Sequence, residues 1–287
     1  MTKAEDLAAW VEGIVNEFVD SPENTLGNAA NERAWAEPLV GFSSGADPLY
    51  RFYKEDIGPF YPTPIEWFKK TFPGVEASPE ELTVISWILP QTEATKADNR
   101  LQRAYPSERW ARSRIFGEEA NVKLRGHVAE ALTEAGYPAV APMNSPLWAR
   151  GTSERYGYAS NWSERHAAYA AGLGTFGLCD GLITPLGKAM RAGSVIAKID
   201  IPPSARPYED HHAYCLLYMR GTCGECVPRC PVGAISEGGH DKARCSDHLN
   251  ATRRYVESTY GFKGYGCGLC QTGVPCESRI PPELVIR

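Results

Sequence analysis

Residues 215–235 read CLLYMRGTCGECVPRCPVGAI, and residues 267–276 read CGLCQTGVPC. In each stretch two cysteines stand two residues apart: Cys223 with Cys226, and Cys267 with Cys270. The turn between such a pair points its amides at both sulfurs, which suits two thiolates on one metal centre. Cys230 is followed by Pro231 and then Val-Gly-Ala-Ile. Cys276 closes the second stretch, and Cys245 lies between the two. The chain has nine cysteines, eight of them from Cys215 onward and the ninth at Cys179. A disulfide framework spreads its cysteines through a secreted chain, whereas crowding at one end suits metal.

The Cys-Pro-Val-Gly-Ala-Ile string is typical of ferredoxin-type folding. There a run with spacing C-x2-C-x2-C-x3-C-P holds two [4Fe-4S] clusters, and its last cysteine serves the other cluster. Here Arg220 stands at the first cysteine position. Cys215 is the nearest substitute, on a short helical stretch. The count then closes as two sets of four: Cys215, Cys223, Cys226 and Cys276 for one cluster, and Cys230, Cys245, Cys267 and Cys270 for the other. Cys179 is left over and reads as a packed thiol. Paired C-x2-C knuckles also occur in zinc ribbons. Zinc would leave four cysteines without a role and would not explain the Cys-Pro string.

The rest of the chain has the composition of a globular protein. It has 287 residues, 43% of them hydrophobic and 23% charged, with a net charge of −5. That balance does not suggest a large nucleic-acid-binding face. At the amino terminus Leu7, Trp10, Val11, Ile14, Val15 and Phe18 recur at helical spacing with acidic residues between them. This predicts an amphipathic helix rather than a signal peptide. No apolar run approaches a membrane span. A cytoplasmic protein with no membrane partner is expected.

Three segments are expected. Residues 1–80 form the first helix and a turn-rich, proline-dense wrapping segment, whose aromatic residues are candidates to line a pocket. Residues 81–203 form an α/β core. It has a strand over 82–89, a helix over about 117–135 with Val122, Leu124, Val128 and Leu132 on one face, a short strand at 139–141 and a strand over 194–201. Between them, SNWSERHAAYAAGLG predicts a helix capped by Asn161, with Glu164 at capping-box spacing and Gly172 as its stop. Residues 204–287 form the cysteine module. Arg100, Arg103, Arg109, Arg112 and Arg114 make a basic cluster ahead of the long helix.

Several strings resemble the cobalamin-dependent iron–sulfur reductases, the epoxyqueuosine reductases and reductive dehalogenases. They are Ala171-Gly172-Leu173-Gly174-Thr175-Phe176-Gly177 with Leu182-Ile183-Thr184-Pro185, the stretch YPSERWARSRIFGEEAN, and the cysteine module. Together they cover about residues 80 to 280. The resemblance implies a nitroreductase-like α/β (α+β) core that binds base-off cobalamin, followed by a ferredoxin-like module with two [4Fe-4S] clusters. It implies a reductase passing electrons through the clusters to the corrinoid, fed by reduced ferredoxin or flavodoxin, and acting on a small organic substrate. Gly172, Leu173, Gly174, Thr175 and Phe176 would approach the corrinoid, glycine adding no side chain. Ser160, Asn161 and Trp162 would hydrogen-bond its amides, and Arg114 would meet its phosphate tail or an anionic substrate.

The catalytic aspartate of epoxyqueuosine reductase falls near Tyr158. The dehalogenases use a tyrosine as acid, so Tyr158 is the candidate proton donor, with Tyr156 as the alternative. A tyrosine in that role needs a nearby cation, since its ordinary pKa is about 10. The missing aspartate and the acidic charge make a nucleic-acid substrate unlikely. Two alternatives stand beside this reading: an electron-transfer protein or reductive activator, and an epoxyqueuosine-type tRNA reductase.

Overall fold

The computed structural model describes residues 3–285. Helix α1 (Lys3–Asp20) opens the chain. Strand β1 (Leu39–Ser44) follows, then helices α2 (Pro48–Ile57) and α3 (Pro64–Thr71). Strand β2 (Thr83–Pro90) leads into α4 (Glu93–Arg100), α5 (Glu108–Arg112) and α6 (Glu118–Glu134). After β3 (Ala139–Val140) come a hairpin of β4 (Arg150–Ser153) and β5 (Gly157–Ser160), then α7 (Glu164–Ala170). The small pair β6 (Thr175–Phe176) and β7 (Leu182–Ile183) precedes β8 (Met190–Ala197).

The main sheet has the order β1-β2-β8-β3, and every neighbouring pair in it is antiparallel. Strand β2 sits inside it and is buried at all eight positions. Its side chains alternate between two cores, as strand periodicity requires. Ile85, Trp87 and Leu89 join α1 and α6 on one face. Val84 and Ile88 join α2, α3 and α7 on the other. Gly193 of β8 lies opposite Trp87, and a Cβ there would stand 2.5 Å from the indole. The Trp87 Nε1–H donates to Asn121 Oδ1 at 3.0 Å, and Asn121 Nδ2 donates to the Ala192 carbonyl at 3.1 Å, fixing α6 on the sheet.

Four expectations shift. The segment 21–80 does more than wrap, because it supplies β1, α2 and α3. Pro48 and Pro64 start helices rather than mark turns, since the first helical position needs no N–H. Its Tyr50, Tyr53, Tyr61, Trp67 and Phe68 are buried core residues, which leaves no aromatic lid of theirs. Val122 is 43% exposed. It lies two residues before Leu124, about 200° round the helix from the buried face. The strand expected at 194–201 runs over Met190–Ala197, because β8 pairs along all of β2. Ile199 continues as extended chain whose carbonyl accepts from Thr83 Oγ1 at 2.7 Å.

Past Pro203 the chain forms α8 (Leu216–Arg220), the pair β9 (Ile235–Ser236) and β10 (Gly239–His240), and α9 (Lys242–Tyr260). This part is stitched to the core by backbone contacts. Lys188 N–H donates to the Cys276 carbonyl at 2.9 Å, and Ala189 N–H to the Glu277 carbonyl at 3.1 Å. Gly187 has φ of +83°, and a Cβ on it would lie 2.1 Å from the Glu277 carbonyl. Arg100 of α4 pairs with Glu277, and Asn99 Nδ2 donates to the Cys267 carbonyl at 3.2 Å.

Candidate metal centre

Cys215 caps the amino end of α8, and Gly221 ends that helix in the left-handed conformation at φ 65°. The chain then turns through Cys223 and Cys226. Cys215, Cys223, Cys226 and Cys276 all line one small cavity, partly open to solvent, with Leu178, Ile183 and Lys188 on its wall. Arg220 is exposed, and its guanidinium reaches the Glu283 carbonyl at 3.4 Å.

The other four cysteines also gather. Burial pushes the Cys267 thiol up to about 11, with Cys245 and Cys230 beside it adding to the effect. Cys270 packs into the same sulfur-rich cluster as Cys230 and Cys276. The Ala234 N–H donates to Cys230 Sγ at 3.1 Å, which is how a ferredoxin-type turn addresses a thiolate. His240 lies next to Cys245 and Asp180. Hydrogen bonds to Asp180 and to Cys245 push its imidazole up to about 10.

Among the described residues no three His, Cys, Asp or Glu side chains close on a point sized for a single ion. Tetrahedral zinc needs four ligands within about 2.0–2.3 Å of one point. Cys215, Cys223, Cys226 and Cys276 are the kind of donor set, four thiolates, that a cuboidal iron–sulfur cluster would take.

Cys179, expected to be spare, joins the sulfur cluster. It is buried on the turn after β6 and packs in one cluster with Cys226 and Cys270. Hydrogen bonds from those two thiols hold Cys179 well below the usual thiol range. They are pushed up in return, first by the same hydrogen bond and then by burial. Lys188 Nζ lies 3.4 Å from Cys179 Sγ. Burial opposes the Lys188 charge, but the sulfurs of Cys179, Cys276, Cys270 and Cys226 outweigh it and hold the ammonium above its ordinary range. No spacing rule singles out Cys179 or Lys188. Only the fold brings them here.

The Gly-Leu-Gly loop is shaped by the chain's own backbone. Gly172 has φ of +78°, and a Cβ there would meet the Ala205 carbonyl at 2.2 Å. At Gly174 it would meet the Ile183 carbonyl at 2.4 Å. Leu173 is buried against Gly41. Thr175 Oγ1 accepts from the Tyr214 N–H at 2.8 Å, the Phe176 N–H donates to the His211 carbonyl at 2.7 Å, and the His212 imidazole Nδ1 lies 2.8 Å from the Phe176 carbonyl.

The neighbouring polar groups are engaged as well. Trp162 is fully buried, stacked between Tyr50 and Tyr61 with ring centroids 6.1 Å away on each side. Its Nε1–H donates to Ser194 Oγ at 2.9 Å. Ser160 Oγ donates to the Trp162 carbonyl at 2.7 Å. Asn161 does not cap α7, whose residue before the first turn is Ser163. Its side chain instead accepts from the Ala149 N–H and donates to the Leu147 carbonyl, both at 2.9 Å, tying down the approach to the β4–β5 hairpin.

Arg114 is half-buried, bonded to the Tyr265 hydroxyl, with its guanidinium 4.7 Å from that ring. Burial, with Arg191 nearby, lowers it to about 10. The other arginines of the basic cluster meet internal partners: Glu93 and Glu277 for Arg100, Glu32 and Asp98 for Arg109, Glu108 for Arg112, and the Arg100 carbonyl for Arg103. Of the residues expected to hold a corrinoid, Ser160, Asn161 and Trp162 bond within the chain and Gly172 and Gly174 pack against backbone carbonyls, whereas Arg114 spends one guanidinium nitrogen on Tyr265.

Tyr158 is different. It lies on β5, is 52% exposed, and has the Arg150 guanidinium 5.2 Å from its ring centre. Tyr156 donates to Asp56 Oδ2 at 2.7 Å; burial and that carboxylate push it up to about 12. The ammonium of Lys242, at the start of α9, is 5.5 Å from the Tyr156 ring, so the hairpin tip leans on the cysteine-bearing part.

Sequence reasoning missed a buried charge network. Arg125, 2% exposed, lies 3.0 Å from Glu118 and 3.6 Å from Glu164. Arg191 pairs with Glu118 at 2.7 Å. Burial pushes the Glu164 carboxyl up to about 7, against the pull of Arg125 and the Ser194 hydroxyl. Its Oε1 has no hydrogen-bond partner. Arg125 reads as a surface residue in the sequence, because its partners lie on other elements.

An antiparallel core joined to a cysteine-lined cavity is the plan expected of an iron–sulfur reductase. The particular relatives are named as reductases. Over 119 residues the chain is 34% identical to the epoxyqueuosine reductase of Bacillus anthracis, covering 39% of this chain and 29% of that protein. It is 31% identical over 132 residues to the epoxyqueuosine reductase of Bacillus subtilis strain 168, covering 42% of this chain and 32% of that protein. The matches thus span about a third of these relatives. An epoxyqueuosine reductase solved with an epoxyqueuosine-modified tRNA-Tyr stem loop shares the fold. There the TM-score is 0.50 at 18% identity, over 98% of this chain and 69% of that one. A reductive dehalogenase described for B12-dependent dehalogenation aligns with TM-score 0.50 at 17% identity, over 87% of this chain and 31% of that one. No family model matches the chain. The resemblance read from the motifs therefore holds. Among the described residues no helix is long and apolar enough to cross a membrane.

Proposed function

We propose that the chain is an iron–sulfur reductase that takes electrons from reduced ferredoxin or flavodoxin and passes them through two [4Fe-4S] clusters to a bound substrate. The observation that carries this reading is the cavity lined by Cys215, Cys223, Cys226 and Cys276. Those residues hold one cluster, and Cys230, Cys245, Cys267 and Cys270 hold the other. The clusters supply one-electron transfer at low potential. The chain contributes a mostly buried sulfur shell, a polar turn at Cys230, and exclusion of bulk water from the cluster faces that the core covers.

Two substrates have support. The sequence relatives are named epoxyqueuosine reductases, which favours a modified tRNA over the small molecule expected from the missing aspartate and the acidic charge. The Tyr158 hydroxyl, with Arg150 against its ring, favours a small organic substrate protonated by tyrosine. In both readings Tyr158 would hold the proton delivered to the reduced substrate, since it is exposed on the hairpin with the Arg150 guanidinium over its ring. Cobalamin is the further carrier that the resemblance implies between the clusters and the substrate, and the cobalt assay below tests for it.

The test is made on anaerobically purified protein reduced with dithionite. Epoxyqueuosine-modified tRNA stem loop is added in one sample and an aryl bromide in another. Reoxidation of the clusters together with a reduced product identifies the substrate class. Cobalt and corrinoid are assayed in the same sample. A protein that takes up electrons but passes them to neither compound, while reducing a second redox protein, is an electron carrier and contradicts the reductase reading.

A further inference from the structure

One sulfur stands between the two ligand sets. Cys179 is 6% exposed and packs in one cluster with Cys226 of the first set and Cys270 of the second. Behind it, Lys188 is 3% exposed, with Nζ 3.4 Å from the Cys179 sulfur. Lys188 also lines the cavity shared by Cys215, Cys223, Cys226 and Cys276, and its backbone N–H holds the Cys276 carbonyl. A buried thiol and a buried ammonium therefore connect the two sets. Neither is needed as a ligand, because eight other cysteines complete both sets.

Hydrogen bonds and positive charge at cluster sulfurs stabilise the reduced, more negative state and raise the reduction potential. With both clusters in place the thiolates of Cys226 and Cys270 carry no protons. A hydrogen bond between Cys179 and either of them then runs from Cys179, and Lys188 Nζ lies within donating distance of the Cys179 sulfur. A thiol has one proton, so Cys179 serves one neighbour at a time, and the more negative cluster attracts it.

We infer that Cys179 and Lys188 form a polar bridge between the two iron–sulfur sites, which raises the reduction potential of both clusters and makes the potential of each depend on the state of the other. The bridge rests on the two-cluster reading.

Three variants test it: Cys179→Ala, which removes the donor, Cys179→Ser, which keeps an O–H donor, and Lys188→Met, which keeps the stem and loses the charge. Each is reconstituted without oxygen, its iron is counted, and its clusters are titrated with EPR detection. Iron content is expected to match the parent in all three. In Cys179→Ala both midpoint potentials fall. The expected change is about tenfold in the oxidised-to-reduced ratio at fixed potential, or about 59 mV for one electron. Cys179→Ser recovers most of that shift. Lys188→Met lowers chiefly the cluster in the cavity.

Unchanged potentials in Cys179→Ala and Cys179→Ser overturn the bridge, whether or not Lys188→Met folds. Loss of half the iron in Cys179→Ala also overturns it, because Cys179 would then be a ligand. Failure of the parent protein to hold two clusters is seen before any variant is made, and it sinks the underlying reading as well.

Discussion

The Gly-Leu-Gly loop and the cysteine cavity are close in space and opposite in construction. In the loop every feature that reads as an invitation to a ligand is answered from within. Gly172 and Gly174 make room for the Ala205 and Ile183 carbonyls. Trp162, Ser160 and Asn161 donate to groups of the same chain. In the cavity the reactive groups face shared space, with four thiols around one chamber. Glycines and hydrogen-bonding side chains mark a ligand site only when their partners are missing. Cysteines that converge without pairing are informative by themselves.

The largest effect should come from the cavity. Cys223→Ala and Cys226→Ala are each expected to lose about half of the bound iron, since one of two clusters has only three thiolates left. Iron per folded molecule, measured after anaerobic reconstitution, checks this. Retention of all the iron would show that these sulfurs are not ligands.

Next come the glycines of the close approaches. Gly187→Ala puts a Cβ about 2.1 Å from the Glu277 carbonyl at φ +83°, and Gly172→Ala puts one 2.2 Å from the Ala205 carbonyl at φ +78°. Each should cost about 3 kcal/mol or more of stability. In Gly172→Ala the iron per folded molecule should be unchanged. If Gly172→Ala leaves the melting temperature alone but removes a bound cofactor, the loop is a ligand site after all.

Glu164→Gln sharpens the description of the core. The folded Glu164 carboxyl is raised to about 7 from its ordinary 4.5. Its contribution is therefore full below about pH 4.5 and lost as pH rises through 7. Between pH 5 and 8 the parent should lose roughly 2–3 kcal/mol relative to the glutamine variant, which has no such titration. Denaturant midpoints of both proteins across that range measure it. Parallel pH profiles would show that Glu164 is ionised throughout.

The smallest effect is expected at Asn161→Ala, which removes two hydrogen bonds that anchor the hairpin approach and should cost about 1–2 kcal/mol. Thermal melts read the loss. Weaker binding of an added corrinoid with unchanged stability would instead place Asn161 in a cofactor site.

Much of the fold was legible in the sequence because local pattern and final packing agree. The run at 82–89 is apolar on both sides, and it becomes the doubly buried β2. Residues Leu124, Val128 and Leu132 recur at helical spacing and become one face of α6. The cysteines were legible because metal ligation leaves a spacing. What failed to show was long-range or ambiguous. Prolines at 48 and 64 start helices as readily as turns. Asn161 has cap spacing, but the hairpin competes for its side chain. Arg125 finds Glu118 and Glu164, and Cys179 finds Cys226 and Cys270, only after the chain has folded. The reasons for Gly172 and Gly187 are likewise carbonyls far along the sequence.

The central claim is that eight cysteines hold two [4Fe-4S] clusters, and one measurement addresses it most directly. Iron, sulfide and zinc are counted per chain in protein purified and reconstituted without oxygen, with the visible spectrum taken before and after dithionite. The account predicts about eight irons and eight sulfides per chain, with a broad absorption that bleaches on reduction. Four irons, or zinc in place of iron with no colour to bleach, would contradict it.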